Sequence, residues 1–96
     1  MLIAAVTCPV CKGGTVGFRK GGGTDKIVFL CDECNSVWMS PDTINPEDVQ
    51  FPSPPDFYVG GTECSVAAAL GSRWATLEDV RAALLEQFVL GDSGVS

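Results

Sequence analysis

Two short cysteine pairs, Cys8-Pro9-Val10-Cys11 and Cys31-Asp32-Glu33-Cys34, decide how this chain folds. Two residues separate the cysteines within each pair, and nineteen residues separate the pairs. A two-residue spacer lets a tight turn aim both sulfurs at one ion, and the distance between the pairs is typical of four-cysteine zinc sites. We therefore predict one Zn²⁺ ion per chain, bound by Cys8, Cys11, Cys31 and Cys34.

The cellular setting implied by the sequence favours metal over disulfide bonds. Five cysteines in a chain of 96 residues could form a disulfide framework, but that pattern belongs to secreted proteins and usually has an even count. The apolar stretch from Leu2 to Val6 has five residues and no basic flank, which is too short for a signal peptide or a membrane span. We expect a cytoplasmic protein with reduced thiols and no membrane partner.

The segments around the cysteines predict an α+β fold with a small three-stranded antiparallel sheet. Residues 15–19 and 26–30 form the two arms of a hairpin, 37–39 a third strand, and 2–6 a short strand that leads into the first cysteine pair. The glycine-rich turn at 20–25 is expected to be mobile. One hairpin face is apolar through Val16, Phe18, Ile27 and Phe29. Val28 and Leu30 make the other face apolar too, so a further segment must cover it.

The clearest helix is predicted from Thr76 to about Leu90, with Thr76 as its N-cap and Gly91 as its stop. Its apolar positions recur at helical spacing, so we expect an amphipathic helix on the open face of the hairpin. Residues 59–71 remain open between helix and strand, and 92–96 are expected to fray. The predicted organisation is a metal-binding part at 1–40, a proline-rich strap at 41–58 and a helical C-terminal part at 59–96, packed as one unit. Asn45 is expected to cap a helical turn or two in the strap.

The stretches Cys8-Pro9-Val10-Cys11-Lys12-Gly13-Gly14 and Cys31-Asp32-Glu33-Cys34-Asn35-Ser36-Val37-Trp38 resemble the knuckles of the zinc-ribbon superfamily. The resemblance covers about residues 1–40 and implies fold and metal rather than function, since the superfamily includes transcription factors, ribosomal proteins and small bacterial proteins. Gly13 and Gly14 are expected to supply the positive φ of the first knuckle. Asn35 stands where a glycine is common, but asparagine tolerates the same left-handed conformation.

Cysteine pairs of this kind also occur in two other classes of protein. A thioredoxin-like redox site needs one cysteine pair at the start of a helix, whereas both pairs here flank predicted strands. Four thiolates also bind iron in rubredoxin-like electron-transfer proteins, which leaves iron as the less favoured metal.

The composition argues against an enzyme. The chain has no histidine, which removes the usual general base and the usual ligand of catalytic zinc. Four cysteine ligands also leave no coordination position open for water or substrate. Cys64 lies in an apolar, alanine-rich stretch, so we interpret it as a buried hydrophobic side chain. The aromatic side chains of residues 38, 51, 57, 58 and 74 are expected to lie mostly in the core.

The charge distribution suggests a partner. The formal net charge is −6, and four thiolates around one Zn²⁺ would add about −2. We therefore expect a non-enzymatic protein-interaction module that binds a basic protein, as small bacterial inhibitor or immunity proteins do. The alternative is a nucleic-acid-associated zinc ribbon, which overall acidity opposes. Its contacts would come from a basic cluster of Lys12, Arg19, Lys20 and Lys26.

Overall fold

One antiparallel sheet organises the protein. The computed structural model describes residues 1–24, 26–60, 62 and 64–92. The strands are β1 (Leu2–Ala5), β2 (Val16–Lys20), β3 (Ile27–Cys31), β4 (Val37–Trp38), β5 (Arg73–Trp74) and β6 (Gly91–Asp92). The α-helix α1 spans Leu77–Ala82, and 3-10 turns span Pro41–Thr43, Ala68–Leu70 and Glu86–Phe88. The structure combines an antiparallel sheet with a short helix, which confirms the predicted α+β class.

The strand order is β4-β3-β2-β1-β6, and β5 pairs with β2 beside β1. In the central β2–β3 hairpin, Val16 is opposite Cys31 at one end and Lys20 is opposite Ile27 at the other. The cysteines and the glycine turn therefore lie at opposite ends of the hairpin. The prediction of a three-stranded sheet was wrong, because the sheet has six strands. The predicted strand at 2–6 joins it as β1. In addition, β5 and β6 are two-residue strands that tertiary pairing creates and that carry no periodic pattern of their own.

The two faces of the hairpin are covered by different segments. Val16, Phe18, Ile27 and Phe29 belong to one buried cluster, as predicted, and Val80 of α1 packs in it. Val28 and Leu30 belong to a second cluster, to which Val59 and Cys64 also belong. The sequence predicted that the helix would cover the hairpin face with Val28 and Leu30, and it does not. Val59 and Cys64, which precede the helix in the chain, pack on that face instead.

The predicted helix from Thr76 to Leu90 was too long. The Thr76 side chain accepts a hydrogen bond from the backbone N–H of Asp79, as the predicted cap requires, but α1 ends at Ala82. Leu84 then takes a left-handed φ of 61° and leaves its side chain 79% exposed. This reversal lets Leu90 donate its N–H to the Ile3 carbonyl at 2.8 Å. Sheet pairing thus replaces the last helical turns.

The pairing with β1 also changes the end of the chain. Gly91 lies opposite Ile3 and Asp92 opposite Leu2, so Asp92 belongs to β6 and not to a frayed tail. Residues 93–96 of the predicted tail lie outside the described part. In residues 59–71, the described positions form neither a long helix nor a long strand, and Ala68–Leu70 is one 3-10 turn.

Hydrogen bonds hold the strap against the sheet. The indole N–H of the fully buried Trp38 donates to the Asn45 carbonyl at 2.8 Å. The Asn45 side chain accepts from the backbone N–H groups of Glu47 and Asp48, at 2.9 and 2.8 Å, which makes a side-chain-capped turn instead of the predicted helix.

The turn at 20–25, expected to be mobile, is tied down in its described part. Gly21 and Gly22 are buried, and the Gly22 N–H donates to the Ser65 carbonyl at 2.9 Å. A Cβ atom on Gly22 would collide with the backbone of Leu70, so this close approach requires glycine.

Candidate metal centre

The four predicted ligands converge on one point. The sulfur atoms of Cys8, Cys11, Cys31 and Cys34 all lie within 4.8 Å of one another. Cys8 Sγ lies 3.7 Å from Cys34 Sγ, and Cys11 Sγ lies 3.7 Å from Cys31 Sγ. A tetrahedral site with zinc–sulfur bonds of about 2.3 Å has sulfur–sulfur edges of roughly 3.8 Å, whereas a disulfide bond measures about 2.05 Å. The geometry fits a metal cage and not a pair of disulfides.

The first knuckle is shaped by Lys12. Lys12 adopts a left-handed φ of 60° and donates its N–H to the Cys8 carbonyl at 3.0 Å. The expected positive φ is therefore at Lys12 and not at Gly13 or Gly14. Gly14 has a different function, because a Cβ atom there would lie 2.5 Å from Cys31 Sγ. The glycine leaves room for the second cysteine pair to approach the first.

The second knuckle follows the predicted geometry more closely. Asn35 adopts a φ of 59°, as the sequence suggested for this position. The backbone N–H groups of Glu33 and Cys34 donate to Cys31 Sγ at 3.4 and 3.5 Å, as the Val10 N–H donates to Cys8 Sγ at 3.4 Å. Donors of this kind stabilise thiolates and fix their orientation.

Ser36 completes the surroundings of the cage and was missed in the sequence. Its hydroxyl lies 2.9 Å from Cys34 Sγ, and the residue is fully buried. Burial tends to raise the pKa of Cys34, but the hydrogen bonds with Ser36, Cys31 and Cys11 together lower it to about 7. In the sequence, Ser36 is distinguished only as a hydroxyl residue two positions after a cysteine ligand. That arrangement is too common to identify a hydrogen-bond partner of the thiolate.

Burial differs between the ligands. Cys8 and Cys31 are buried, Cys34 is half-buried and Cys11 is exposed. Burial raises the pKa of Cys31, so a neutral thiol is favoured there until a cation is bound. The cage therefore has a dry interior side and one side that faces solvent at Cys11. Its four thiolates form a donor set that suits Zn²⁺ and also suits iron.

The structure does not bring the four predicted basic residues together. Lys12 lies in the first knuckle, while Lys20 and Lys26 lie at the far end of the hairpin, about 15 Å away for a five-residue strand. The Arg19 guanidinium lies 4.9 Å from the ring centre of Trp74 and donates to Ser72 Oγ at 2.8 Å. Arg19 is thus part of the fold and not of an exposed basic tip.

Cys64 belongs to the core, as the sequence predicted. The residue is 1% exposed and packs in the cluster that contains Val28 and Val59. Burial raises the pKa of its thiol, and the nearby charge of Lys26 offsets this only in part. A buried, neutral thiol is a poor nucleophile, so the geometry gives Cys64 a packing function.

The assignment of a metal site depends on the geometry of the cysteines and not on similarity to known proteins. No family model, curated protein or solved structure matches the chain. Within the described residues, α1 and the 3-10 turns are all too short to cross a bilayer. The resemblance to zinc ribbons therefore depends on the two knuckles, whose cysteines do form a cage suited to a metal.

Proposed function

We propose that this protein is a non-enzymatic, zinc-stabilised module that binds a basic protein partner. The observation that carries the first part is the closed cage of four thiolates, since four protein ligands leave no position for water or substrate. A metal held in this way stabilises the fold and does not act on a substrate. The absence of histidine from the whole sequence points the same way.

The binding surface is assigned from the distribution of charge. Between Lys26 and Arg73 the sequence contains no lysine, arginine or histidine, but it contains seven carboxylates. Six of them lie in the described residues and are exposed: Asp32, Glu33, Asp42, Glu47, Asp48 and Asp56. This set is called the acidic surface below. Charge of one sign favours association with a surface of the opposite sign.

The acidic surface differs from the carboxylates of the C-terminal segment. Asp79 is paired with Arg73 at 2.7 Å, and Glu86 is paired with Arg81 at 2.6 Å. Within the described part of the chain, no member of the acidic surface forms such an ion pair. Its charge is therefore available to a partner, whereas much of the C-terminal charge is already balanced.

Nucleic-acid binding is the weaker alternative. A phosphate backbone requires several cations on one surface, but Lys12 is separated from Lys20 and Lys26, and Arg19 packs against Trp74. Electron transfer would require iron in the cage, and metal analysis distinguishes that case directly.

The proposal can be tested with two matched charge reversals. Glu47→Lys alters the acidic surface, and Glu78→Lys makes the same charge change at another exposed position, on α1. The partner should first be captured from native extract with the wild-type protein and then titrated in purified form. We expect Glu47→Lys to weaken binding and reduce its salt dependence, with little change for Glu78→Lys. Equal effects of both variants, or stronger binding to duplex DNA than to any protein, would contradict the proposal.

A further inference from the structure

Two exposed aromatic rings share one concave surface of the strap. Phe51 and Tyr58 line a cavity of about 350 Å³. We call this cavity the aromatic groove. Its lining residues are Gln50, Phe51, Pro52, Ser53, Tyr58 and Gly60.

The exposure of these rings contrasts with the rest of the protein. Phe51 is 59% exposed and Tyr58 is 48% exposed, whereas Phe18, Phe29 and Trp38 are fully buried. The expectation that the strap aromatics lie in the core was therefore wrong for Phe51 and Tyr58. Two aromatic residues that stay about half exposed and line one cavity are typical of a binding surface.

The groove is held in place from both sides. Gln50 exchanges two backbone hydrogen bonds with Val37 at 2.9 Å each, which attaches the Phe51 side to the sheet. The Gln50 side chain accepts a hydrogen bond from the Gly60 N–H at 2.9 Å and so links the two walls. Tyr58 pairs with the fully buried Ser65 in an isolated antiparallel β-bridge. Backbone hydrogen bonds of the neighbouring residues hold this bridge, from Val59 N–H to the Cys64 carbonyl and from Val66 N–H to the Phe57 carbonyl. A surface fixed in this way loses little conformational entropy when it binds.

Each ring has an exposed carboxylate close to it in the sequence. Asp48 lies three residues before Phe51, and Asp56 lies two residues before Tyr58; both are exposed members of the acidic surface. Among the described residues, neither carboxylate is in an ion pair, and Asp48 accepts a hydrogen bond from the Asn45 side chain at 2.9 Å. The combination of aromatic faces and carboxylates without a cationic partner matches the chemistry of a guanidinium group. Arginine stacks on aromatic rings and donates in a planar fork to carboxylates, whereas lysine offers a compact, strongly hydrated charge.

We propose that the aromatic groove binds an arginine side chain of the basic partner, with the guanidinium stacked on Phe51 or Tyr58 and its charge balanced by the acidic surface, of which Asp48 and Asp56 are the members nearest to the rings in the sequence. This inference rests on the proposed function, because it assigns the position on the acidic surface where the partner is recognised. It adds specificity to what charge alone provides, since charge attracts lysine and arginine equally.

Short peptides provide the first test. The full chain, labelled with ¹⁵N and loaded with zinc, is titrated with a glycine-serine peptide that carries three arginines and with the same peptide carrying three lysines. We expect the arginine peptide to bind about fivefold more tightly. Its binding should shift the amide resonances of Gln50, Phe51, Tyr58 and Gly60. Equal affinity for both peptides, or shifts confined to other residues, would overturn the proposal while leaving the acidic surface intact.

Variants in the groove provide the second test. Phe51→Ala and Tyr58→Ala should each lower the affinity for the arginine peptide about fivefold and remove most of its preference over the lysine peptide. Leu84→Ala removes another exposed apolar side chain and is expected to change nothing. Unchanged amide spectra outside the groove serve as the control for folding.

The outcomes separate the two proposals. If Glu47→Lys weakens the native partner but Phe51→Ala and Tyr58→Ala do not, the groove proposal fails and the proposed function stands. If neither peptide binds and the partner tolerates Glu47→Lys, both fail. Self-association that depends on concentration and disappears in Phe51→Ala would assign the groove to a second copy of the chain and would also overturn the arginine proposal.

Discussion

The two knuckles and the C-terminal segment of residues 76–92 follow their sequence patterns to very different degrees. At the knuckles, the spacing of four cysteines fixes where the sulfurs must meet, and the backbone has few ways to bring them there. In the C-terminal segment, a helical pattern over residues 76–90 yields an α-helix of six residues and a 3-10 turn, and a short strand follows at Gly91–Asp92. Ligand geometry is a stronger constraint than helical periodicity.

The two regions differ in how much their structure depends on tertiary contacts. An isolated helix of six residues is unstable in water, so α1 depends on its cap and on the buried Val80. Leaving the helix after Ala82 allows Leu85 and Phe88 to pack on the core and β6 to pair with β1. Tertiary contacts thus decide the length of the helix, whereas at the knuckles they add little to what the cysteines already require.

The largest expected effect is the loss of a ligand. Cys31→Ser should abolish stoichiometric metal binding and loosen at least residues 1–40, because the free energy of zinc binding is part of the free energy of folding. For structural zinc in small domains that contribution is on the order of 10 kcal/mol. Amide dispersion and metal content of the purified variant provide the measurement.

Cys64→Ala is the matched control for that experiment. It removes a cysteine from the core but not from the cage, so metal content should be unchanged and stability should fall by about 1–2 kcal/mol. Loss of metal in Cys64→Ala, or full retention in Cys31→Ser, would show that the ligands are wrongly assigned.

The next effect concerns the strap, whose Asn45 carbonyl accepts a hydrogen bond from Trp38 of the sheet. Trp38→Ala should cost about 3–5 kcal/mol because it empties a buried site, and it should release the Asn45 turn from the sheet. Trp38→Phe keeps most of the volume but leaves the Asn45 carbonyl without its donor, so we expect a loss of about 1–3 kcal/mol. Denaturant unfolding measures both. Wild-type stability of Trp38→Phe would mean that the hydrogen bond adds nothing, and equal stability of the two variants would mean that the volume of the side chain adds nothing.

How far the sequence predicts the structure can be followed at particular residues. The cage, the left-handed Asn35 and the two faces of the hairpin follow from spacing and alternation, which are local properties. Lys12 could not be identified as the left-handed residue, because two glycines beside it satisfy the same rule. Likewise, β5 and β6 arise where chain segments distant in sequence meet β2 and β1, and a two-residue strand has no pattern to detect.

A smaller effect is expected at the start of α1. The side chains of Thr76 and Asp79 each accept a hydrogen bond from the backbone N–H of the other residue, which forms a capping box. Thr76→Ala should cost about 1 kcal/mol, and faster amide exchange should be confined to α1 and the residues after it. If protection were also lost at the cysteine knuckles, the two regions would be coupled more closely than their contacts suggest.

The smallest effect is a predicted lack of pH dependence. The hydrogen bond from Arg73, with that from Thr76, lowers the pKa of Asp79 from 3.8 to about 2. A lowered native pKa contributes stability above the unfolded pKa and loses it as the pH falls through the native value. The difference in unfolding free energy between wild type and Asp79→Asn should therefore stay constant between about pH 5 and pH 8. A difference that grows as the pH falls from 8 to 5 would place the native pKa of Asp79 far higher than its contacts imply, because the native state would then bind a proton that the unfolded chain does not.

The central claim is that four thiolates hold one structural zinc ion, and elemental analysis of the freshly purified chain tests it most directly. Together with an absorption spectrum, the analysis should give about one zinc per chain and no visible absorbance, since Zn²⁺ has a filled d shell. Stoichiometric iron with a coloured protein would contradict the assignment of zinc and revive electron transfer. A folded protein that contains no metal at all would contradict the account of the cysteine cage itself.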